Sequence, residues 1–396
     1  MPHRPANRKA RLADAAAELF GRHGYHAVSV NDIACKAGIT GPAVYRHFTG
    51  KRDVLSHVLI SDLEVFGRVS QEALAASDDH VESLRRLLAA VAALAVERRE
   101  ITALWRWQGF HLDKAEQTTI RRTGARIMDR WSLALRAARP ELRPEEADVL
   151  CWAALSVFGS ISVHHLSLPR KRFERLLAWL ADAVLAYSGL PGAGPVSNGS
   201  TWQRTAAAAS RREELLSAAT RLFRERGYRG VSMEDIGASA GIAGPSIYRH
   251  FASKADILVA AGYRMGDRLH VEAERALAEA TDPGDALHRL VVSYVDTVLR
   301  TGNLMALFAS ESISMAERDA KELLRIQRSY VAEWVKLLGE TAPGLAEREA
   351  RITVHAALTI INDLTRTPRI AARPGIAAEL VGLAGAVLRA GVSWAG

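Results

Sequence analysis

Residues 28–48, VSVNDIACKAGITGPAVYRHF, return 203 positions later as VSMEDIGASAGIAGPSIYRHF at residues 231–251. Each string holds two short helical stretches around a tight turn, a shape with few uses other than entering a DNA groove. Ser29 is placed to cap the first helix with its hydroxyl. Asp32 adds a carboxylate in the first turn, where unpaired N–H groups and the helix dipole favour it. Ser232 and Asp235 repeat that start. Gly38 and Gly241 fall where a chain leaving a helix needs positive φ, and Ile39 and Ile242 follow, apolar enough to tuck under the turn. Pro42 and Pro245 lie within the opening turn of the next helix, which does not miss the absent N–H. The sequence predicts a helix-turn-helix in each copy, with the second helix as the reader.

The 203-residue register outlasts the motif. It lays Phe20 on Phe223, Tyr45 on Tyr248 and Lys51 on Lys254, then Leu104 on Leu307, Trp131 on Trp334, Pro140 on Pro343 and Ala153 on Ala356. A copied motif alone would lose register within the next hundred residues, so the duplicated object is a whole unit of head plus body. The expected division is a first head at 1–55, a first body at 56–187, a linker at 188–205, a second head at 206–258 and a second body at 259–396. The linker, SGLPGAGPVSNGSTWQRT, is rich in Gly, Pro, Ser and Asn. As a flexible chain it reaches roughly 25 Å and extends to about 60 Å, enough to set two heads side by side.

Charge follows the same division. The formal net charge of +8 splits into +5 for residues 1–55, +1 for 56–203, +3 for 204–258 and −1 for 259–396. The positive charge sits where the repeated motif sits, as expected of segments that meet phosphates.

Apolar residues recur at helical spacing throughout, and no convincing strand alternation stands out, so the chain reads as all-α. Helices are expected over 10–23, 51–69, 81–97, 101–112, 118–138, 144–166 and 171–187 of the first copy. Cys35 and Cys151 have no CxxC partner and read as reduced packing residues of a cytoplasmic protein. The N-terminal MPHRPANRKAR lacks the apolar run of a signal peptide. The uncharged stretch 149–163 looks too short to cross a bilayer, so no membrane partner is expected.

Each half resembles the tetracycline-repressor (TetR) family of transcription factors. The resemblance is carried by GITGPAVYRHFTGKRDVL and GIAGPSIYRHFASKADIL, with FGRHGYHAVSVNDIA and FRERGYRGVSMEDIG before them. Two whole copies, with LWRWQGFHL in the first body, are also similar to tandem actinobacterial regulators of mammalian-cell-entry operons, which serve lipid and sterol uptake. The resemblance implies a three-helix DNA head on a larger helical body that binds a small molecule, with bodies pairing through their last two helices.

Tyr45, His47, Tyr248 and His250 are placed to reach phosphate oxygens. Lys51 and Lys254 start the following helix, where an ammonium and backbone N–H groups can share a phosphate. Arg46 and Arg249 are exposed by the helical phase and suit a guanine edge or a phosphate. Thr40, Gly41 and Ala43, matched by Ala243, Gly244 and Ser246, are small. Gly41 departs from family members with a longer side chain there, which leaves methyl contacts and DNA shape to supply specificity. Asn31 faces Glu234 across the repeat, so the two readers differ.

Unequal readers in one chain suit an imperfect palindrome of double-stranded operator DNA. They suggest an intrachain pseudo-dimer in which the stripe Ala154, Leu155, Phe158 and Ile161 meets Ala357, Leu358 and Ile361, with further homodimerisation open. Trp105, Trp107, Phe110 and His111 are candidates to line an apolar effector pocket in the first body, and Phe308, Glu311 and Ser312 a more polar one in the second. His164 and His165, about 100° apart on a helix, cannot share one metal. No HExxH, P-loop, GxSxG or GxGxxG stands in a suitable context, so neither metal nor cofactor is expected. The expected function is a cytoplasmic ligand-responsive repressor. The alternative is an all-α small-molecule-binding protein or enzyme with vestigial heads.

Overall fold

The computed structural model describes residues 5–100, 102, 104, 112–190, 210–226, 228, 230–242, 244–301 and 315–395. Every regular element among them is helical. The chain forms two compact units, Met1–Tyr187 and Ser188–Gly396. Most of the expected linker, and all seven expected pocket residues (Trp105, Trp107, Phe110, His111, Phe308, Glu311 and Ser312), lie outside the described residues.

In the first unit the head comprises α1 (Pro5–His23), α2 (Val30–Lys36) and α3 (Gly41–Val44). The body follows as α4 (Lys51–Ala75), α5 (His80–Glu97), α6 (Lys114–Ala138), α7 (Pro144–Gly159) and α8 (Arg170–Leu185). The expected stretch to residue 166 ends earlier. A 3-10 turn, Ser160–Val163, tightens the last part of α7, and His164 is extended. Helix α6 begins at Lys114, four residues before the expected start at 118, because Asp113 and Glu116 form a reciprocal capping box.

The head core is built on Leu12, Ala16 and Phe20 from α1, Ile33 from α2, Val44 from α3 and Phe48, all at most 2% exposed. That cluster does not stop at the head. It takes in Val54, Leu55, Val58 and Leu59 of α4, and also Leu104 and Leu112. The expected boundaries at 55/56 and 258/259 fall inside single 25-residue helices, Lys51–Ala75 and Lys254–Ala278. Head and body therefore share one helix and one continuous apolar core, so a tilt of that helix in the body moves the head.

The second unit repeats the order as α9 (Arg211–Arg226), α10 (Met233–Ser239), α11 (Gly244–Ile247), α12 (Lys254–Ala278), α13 (Pro283–Thr301), α14 (Glu317–Thr341), α15 (Glu347–Arg366), α16 (Pro368–Ala371) and α17 (Ile376–Trp394). The paired tryptophans anchor both bodies. Trp131 is fully buried with its ring 5.7 Å from Phe66, and Trp334 is fully buried 5.9 Å from Tyr294. Truncating either to Ala is expected to cost about 3–5 kcal/mol, the usual range for emptying a large aromatic site.

Two stretches, Pro144–Val163 and Ile376–Trp394, are long and apolar enough by length and composition to cross a bilayer. The first is longer than the expected uncharged run because the helix starts at Pro144 and carries Glu145, Glu146 and Asp148 in its opening turns. Both are packed against neighbours, α7 on α6 and α8, and α17 on α13 and α15, with 67% and 50% of their apolar windows buried. Ala154, Phe158, Ile161, Ala357, Leu358 and Ile361 are all buried, and Leu155 is half-buried.

Of the two cysteines, Cys151 is buried, and burial pushes its thiol far above the ordinary range. Cys35 is exposed, contrary to a packing role: it sits on the polar side of α2, whose buried positions are Ile33 and Ala34.

Candidate nucleic-acid interface

The local chemistry that fixes each turn is the same in both heads. Ser29 Oγ accepts from the Asp32 N–H at 3.1 Å, and the Asp32 carboxylate accepts from the Ser29 N–H at 2.7 Å. In the second copy the matching distances are 3.0 and 2.9 Å between Ser232 and Asp235. These bonds hold the Asp32 carboxyl below its ordinary value, with the Ser29 hydroxyl as the largest cause and the Ser29 N–H second; for Asp235 the Ser232 N–H leads. The reciprocal box satisfies two orphan donors at the helix start and fixes the angle at which α2 and α10 leave the preceding loop.

Gly38 and Gly241 leave their helices at φ 70° and 67°. A residue with a Cβ pays about 1–2 kcal/mol to stay there. The next residue then folds back, Ile39 N–H donating to the Ala34 carbonyl at 2.9 Å and Ile242 N–H to that of Gly237 at 2.8 Å. In the first head Arg11 reinforces the turn by donating to the Ala37 carbonyl at 3.0 Å. Pro42 stands in the first turn of α3.

The reader is shorter than a full helix. Regular helix covers only Gly41–Val44, and the chain runs on as a turn through His47, with Phe48 N–H still bonded to the Val44 carbonyl at 3.0 Å. Tyr45, His47, Tyr248 and His250 therefore lie on the turn that closes the reader. Tyr45 is 61% and Tyr248 50% exposed, far too open for rings that belong to the core. Asn31, Thr40 and Arg46 are exposed, as are Glu234 and Arg249, while Gly41, Ala43, His47, Ser246 and His250 are half-buried. Ala243 lies outside the described residues.

The helices also bring reader residues onto one another. Asn31 closes over Gly41 so tightly that a Cβ at residue 41 would collide with the Asn31 amide oxygen. The missing side chain at Gly41 is thus the space that Asn31 occupies. In the second head the Tyr248 hydroxyl donates to Glu234 Oε1 at 3.2 Å. Glu234 raises the Tyr248 phenol above its ordinary value, chiefly through its charge.

Lys51 and Lys254, expected at a phosphate, are each bonded within their own head. The Lys51 ammonium donates to the carbonyls of Tyr25 and Val28, both at 2.8 Å, and lies 4.5 Å from the centre of the Tyr25 ring. Lys254 donates to Tyr228 and Val231 at 2.8 and 2.7 Å and lies 4.4 Å from the Tyr228 ring. Desolvation lowers the Lys51 pKa. An ammonium with its protons committed to carbonyls is a staple across the loop before α2, and what remains for a phosphate at the start of α4 is the backbone N–H groups. Tyr25 and Tyr228 were not among the expected site residues. Their signal was present: a Tyr 26 residues before a Lys, repeated in both copies.

The profile described as "Bacterial regulatory proteins, tetR family" matches twice, over residues 12–58 and 215–261. The chain carries two tetR-family segments in tandem. Both matched segments coincide with the capped helix, glycine turn and lysine staple just described. Among curated relatives, the chain is 35% identical over 88 residues to "HTH-type transcriptional activator FasR" of Mycolicibacterium smegmatis, covering 22% of this chain and 40% of FasR. It is 27% identical over 179 residues to "HTH-type transcriptional repressor KstR2" of the same organism, covering 44% and 86%. The chain thus spans less than half the length of FasR. Among solved structures, the ketosteroid transcriptional regulator KstR2 of Mycobacterium tuberculosis is similar at 23% identity and a TM-score of 0.38, covering 46% of this chain and 95% of that one. The relatives named here are regulators of transcription, not enzymes.

Proposed function

We propose that this chain is a DNA-binding transcription regulator, a ligand-responsive repressor whose two unequal heads read the two halves of an imperfect palindrome. The observation that carries this is the pair of reading surfaces themselves. Each has the same capped scaffold, yet Asn31 lies on Gly41 in one and Glu234 holds Tyr248 in the other. Arg46 and Arg249 are the base-reading or phosphate-reading cations, supported by Thr40 and Ala43 on one side and Ala243, Gly244 and Ser246 on the other. Tyr45, His47, Tyr248 and His250 are the phosphate contacts. A symmetric repressor supplies identical readers to identical half-sites; one chain with two readers is relieved of that identity.

The two units would pair within the chain through the stripe at 154–161 and its counterpart at 357–361. The effector is proposed to be apolar, on the aromatic character of Trp105, Trp107 and Phe110, with a lipid-like class suggested by the resemblance to uptake regulators. It would act by favouring a body state that tilts the shared helices, α4 and α12, until the readers no longer match successive major grooves about 34 Å apart. The setting is the cytoplasm, where the operator is.

The test is an electrophoretic shift with the DNA upstream of the gene, paired with native mass spectrometry of the complex. One chain per operator, with protection of two unequal half-sites, is the expected result. No shift, or two chains bringing four heads to each operator, contradicts the proposal.

A further inference from the structure

The junction between head and body is built from matching positions in the two units, and its charge is inverted between them. In the first unit these positions carry Asp14, Glu18, Asp62 and Glu97 against a single Arg98. Three of the acids are neutralised locally: Glu18 by Lys36 at 2.8 Å, Asp62 by Arg98 at 3.1 Å and Glu97 by Arg170 at 2.9 Å. Shifted by 203 residues, the same places hold Ser217, Arg221, Met265, Arg300 and Thr301, and two further arginines, Arg264 and Arg268, replace Ser61 and Val65.

Arg221 from α9, Arg264 and Arg268 from α12, and Arg300 from α13 line one cleft of about 250 Å³. Two of them have carboxylate partners at the rim, Arg264 with Glu213 at 2.9 Å and Arg300 with Asp296 at 2.8 Å. Arg221 donates to the Ser239 hydroxyl, where the first unit has the Glu18–Lys36 ion pair. Arg268 has no ion pair among the described residues. Arg373, the counterpart of Arg170, turns away to Glu379 at 2.7 Å. The cleft thus concentrates four guanidinium groups against two carboxylates, an excess of positive charge that an anion would offset. Planar guanidinium forks carried on three helices along one cleft suit the oxygens of a phosphoryl group, which accepts two parallel N–H bonds from each guanidinium it meets.

We infer that the second unit holds an anion site at its head–body junction, shaped for a small molecule bearing a phosphoryl or diphosphate group, and that the first unit has lost or never had it. The DNA backbone is a poor candidate for the occupant. Positions 264 and 268 lie 10 and 14 residues along α12 from Lys254, about 15 and about 21 Å from the end of the helix nearest the reader at 1.5 Å per residue. Because the four arginines come from the head, the shared helix and the body, an anion among them fastens the head to the body. That consequence for DNA affinity rests on the proposed regulatory function; the binding does not.

Calorimetric titration of the full chain with inorganic pyrophosphate at fixed ionic strength tests the site. One saturable site per chain is expected, at least tenfold weaker in Arg268→Glu and in Arg300→Glu, partly retained in Arg268→Lys, and unchanged in Val65→Glu of the first unit. Arg300 has its side chain 63% exposed, so its reversal leaves the fold intact even where that of half-buried Arg268 disturbs it. No saturable binding, two equal sites per chain, or equal affinity in Arg300→Glu overturns the site. So does a flatter salt dependence of operator binding in Arg300→Glu without added anion, which assigns the arginines to DNA. Pyrophosphate binding by a chain that shifts no DNA leaves the site standing and removes the regulatory function instead.

Discussion

The Tyr248 hydroxyl donates to the Glu234 carboxylate at 3.2 Å across the second reader, while the matching pair in the first, Tyr45 and Asn31, puts a neutral amide over Gly41. A carboxylate on a surface that meets phosphates is unfavourable unless it reads a base, and cytosine N4 is the donor a glutamate accepts. The second half-site is therefore expected to present a cytosine to Glu234 or to be bound more weakly than the first.

Glu234→Asn separates these outcomes. Removing the carboxylate lets the Tyr248 phenol fall back toward its ordinary pKa, since the Glu234 charge is the main cause of its rise. If Glu234 only repels the backbone, the variant binds all sequences about tenfold more tightly. If it reads cytosine, discrimination at one base pair drops by about 1–3 kcal/mol. Competition shifts against operators mutated one position at a time measure both, with tyrosine titration as the independent check.

Lys51→Ala and Lys254→Ala are expected to act on stability before they act on DNA. Each removes an ammonium bonded to two carbonyls and seated on a tyrosine ring. Hydrogen bonds from charged donors are worth about 1.5–3 kcal/mol, so each head loses roughly that amount. The salt slope of operator binding stays as it was, because no phosphate contact goes with the ammonium. Denaturant unfolding and a salt series on the same variants decide the point.

Arg46→Ala is expected to relax sequence preference at one half-site by about 1–3 kcal/mol and to leave the other untouched. Arg249→Ala does the reverse. Operators carrying two copies of either half-site make the assignment, since a purely phosphate-binding arginine weakens both alike.

The second body should lose stability as the pH falls below neutrality. Burial, with the Arg351 guanidinium adding to it, lowers the His355 pKa from 6.5 to about 4. The folded state keeps the imidazole neutral while the unfolded chain takes up a proton, so the stabilisation is full above about pH 6.5 and is lost as pH falls toward 4. Each pH unit of that window is worth about 1.4 kcal/mol, roughly 3 in all. The matching residue in the first unit is Trp152, which does not titrate. Urea unfolding at pH 7 and pH 5 should show the loss, and His355→Gln should flatten it.

The turn geometry was legible because it depends on neighbours within four residues. Ser29 with Asp32, Gly38 with Ile39, and Pro42 are local chemistry, and they stand as the spacing implies. The partners of Lys51 were not legible, because they are carbonyls 23 and 26 residues upstream that come within reach only once α1 and α4 have brought the loop over the lysine. The head–body boundary was hidden for a related reason. Charge changes at residue 55, but the apolar phase of α4 runs straight through, and it is the phase that decides where a helix ends. Cys35 looked like a core residue by type and is exposed by phase.

The twin lysine staples make each head a self-fastened cassette, closed by its own loop carbonyls in the same way in both halves. In a repressor built from two copies of one polypeptide, every amino-acid change in the recognition surface is imposed on both arms of the target at once. Here, an Asn at one address and a Glu at the other are separate letters of a single gene, so under the proposed function one arm can drift toward a new sequence while its sibling holds the old one.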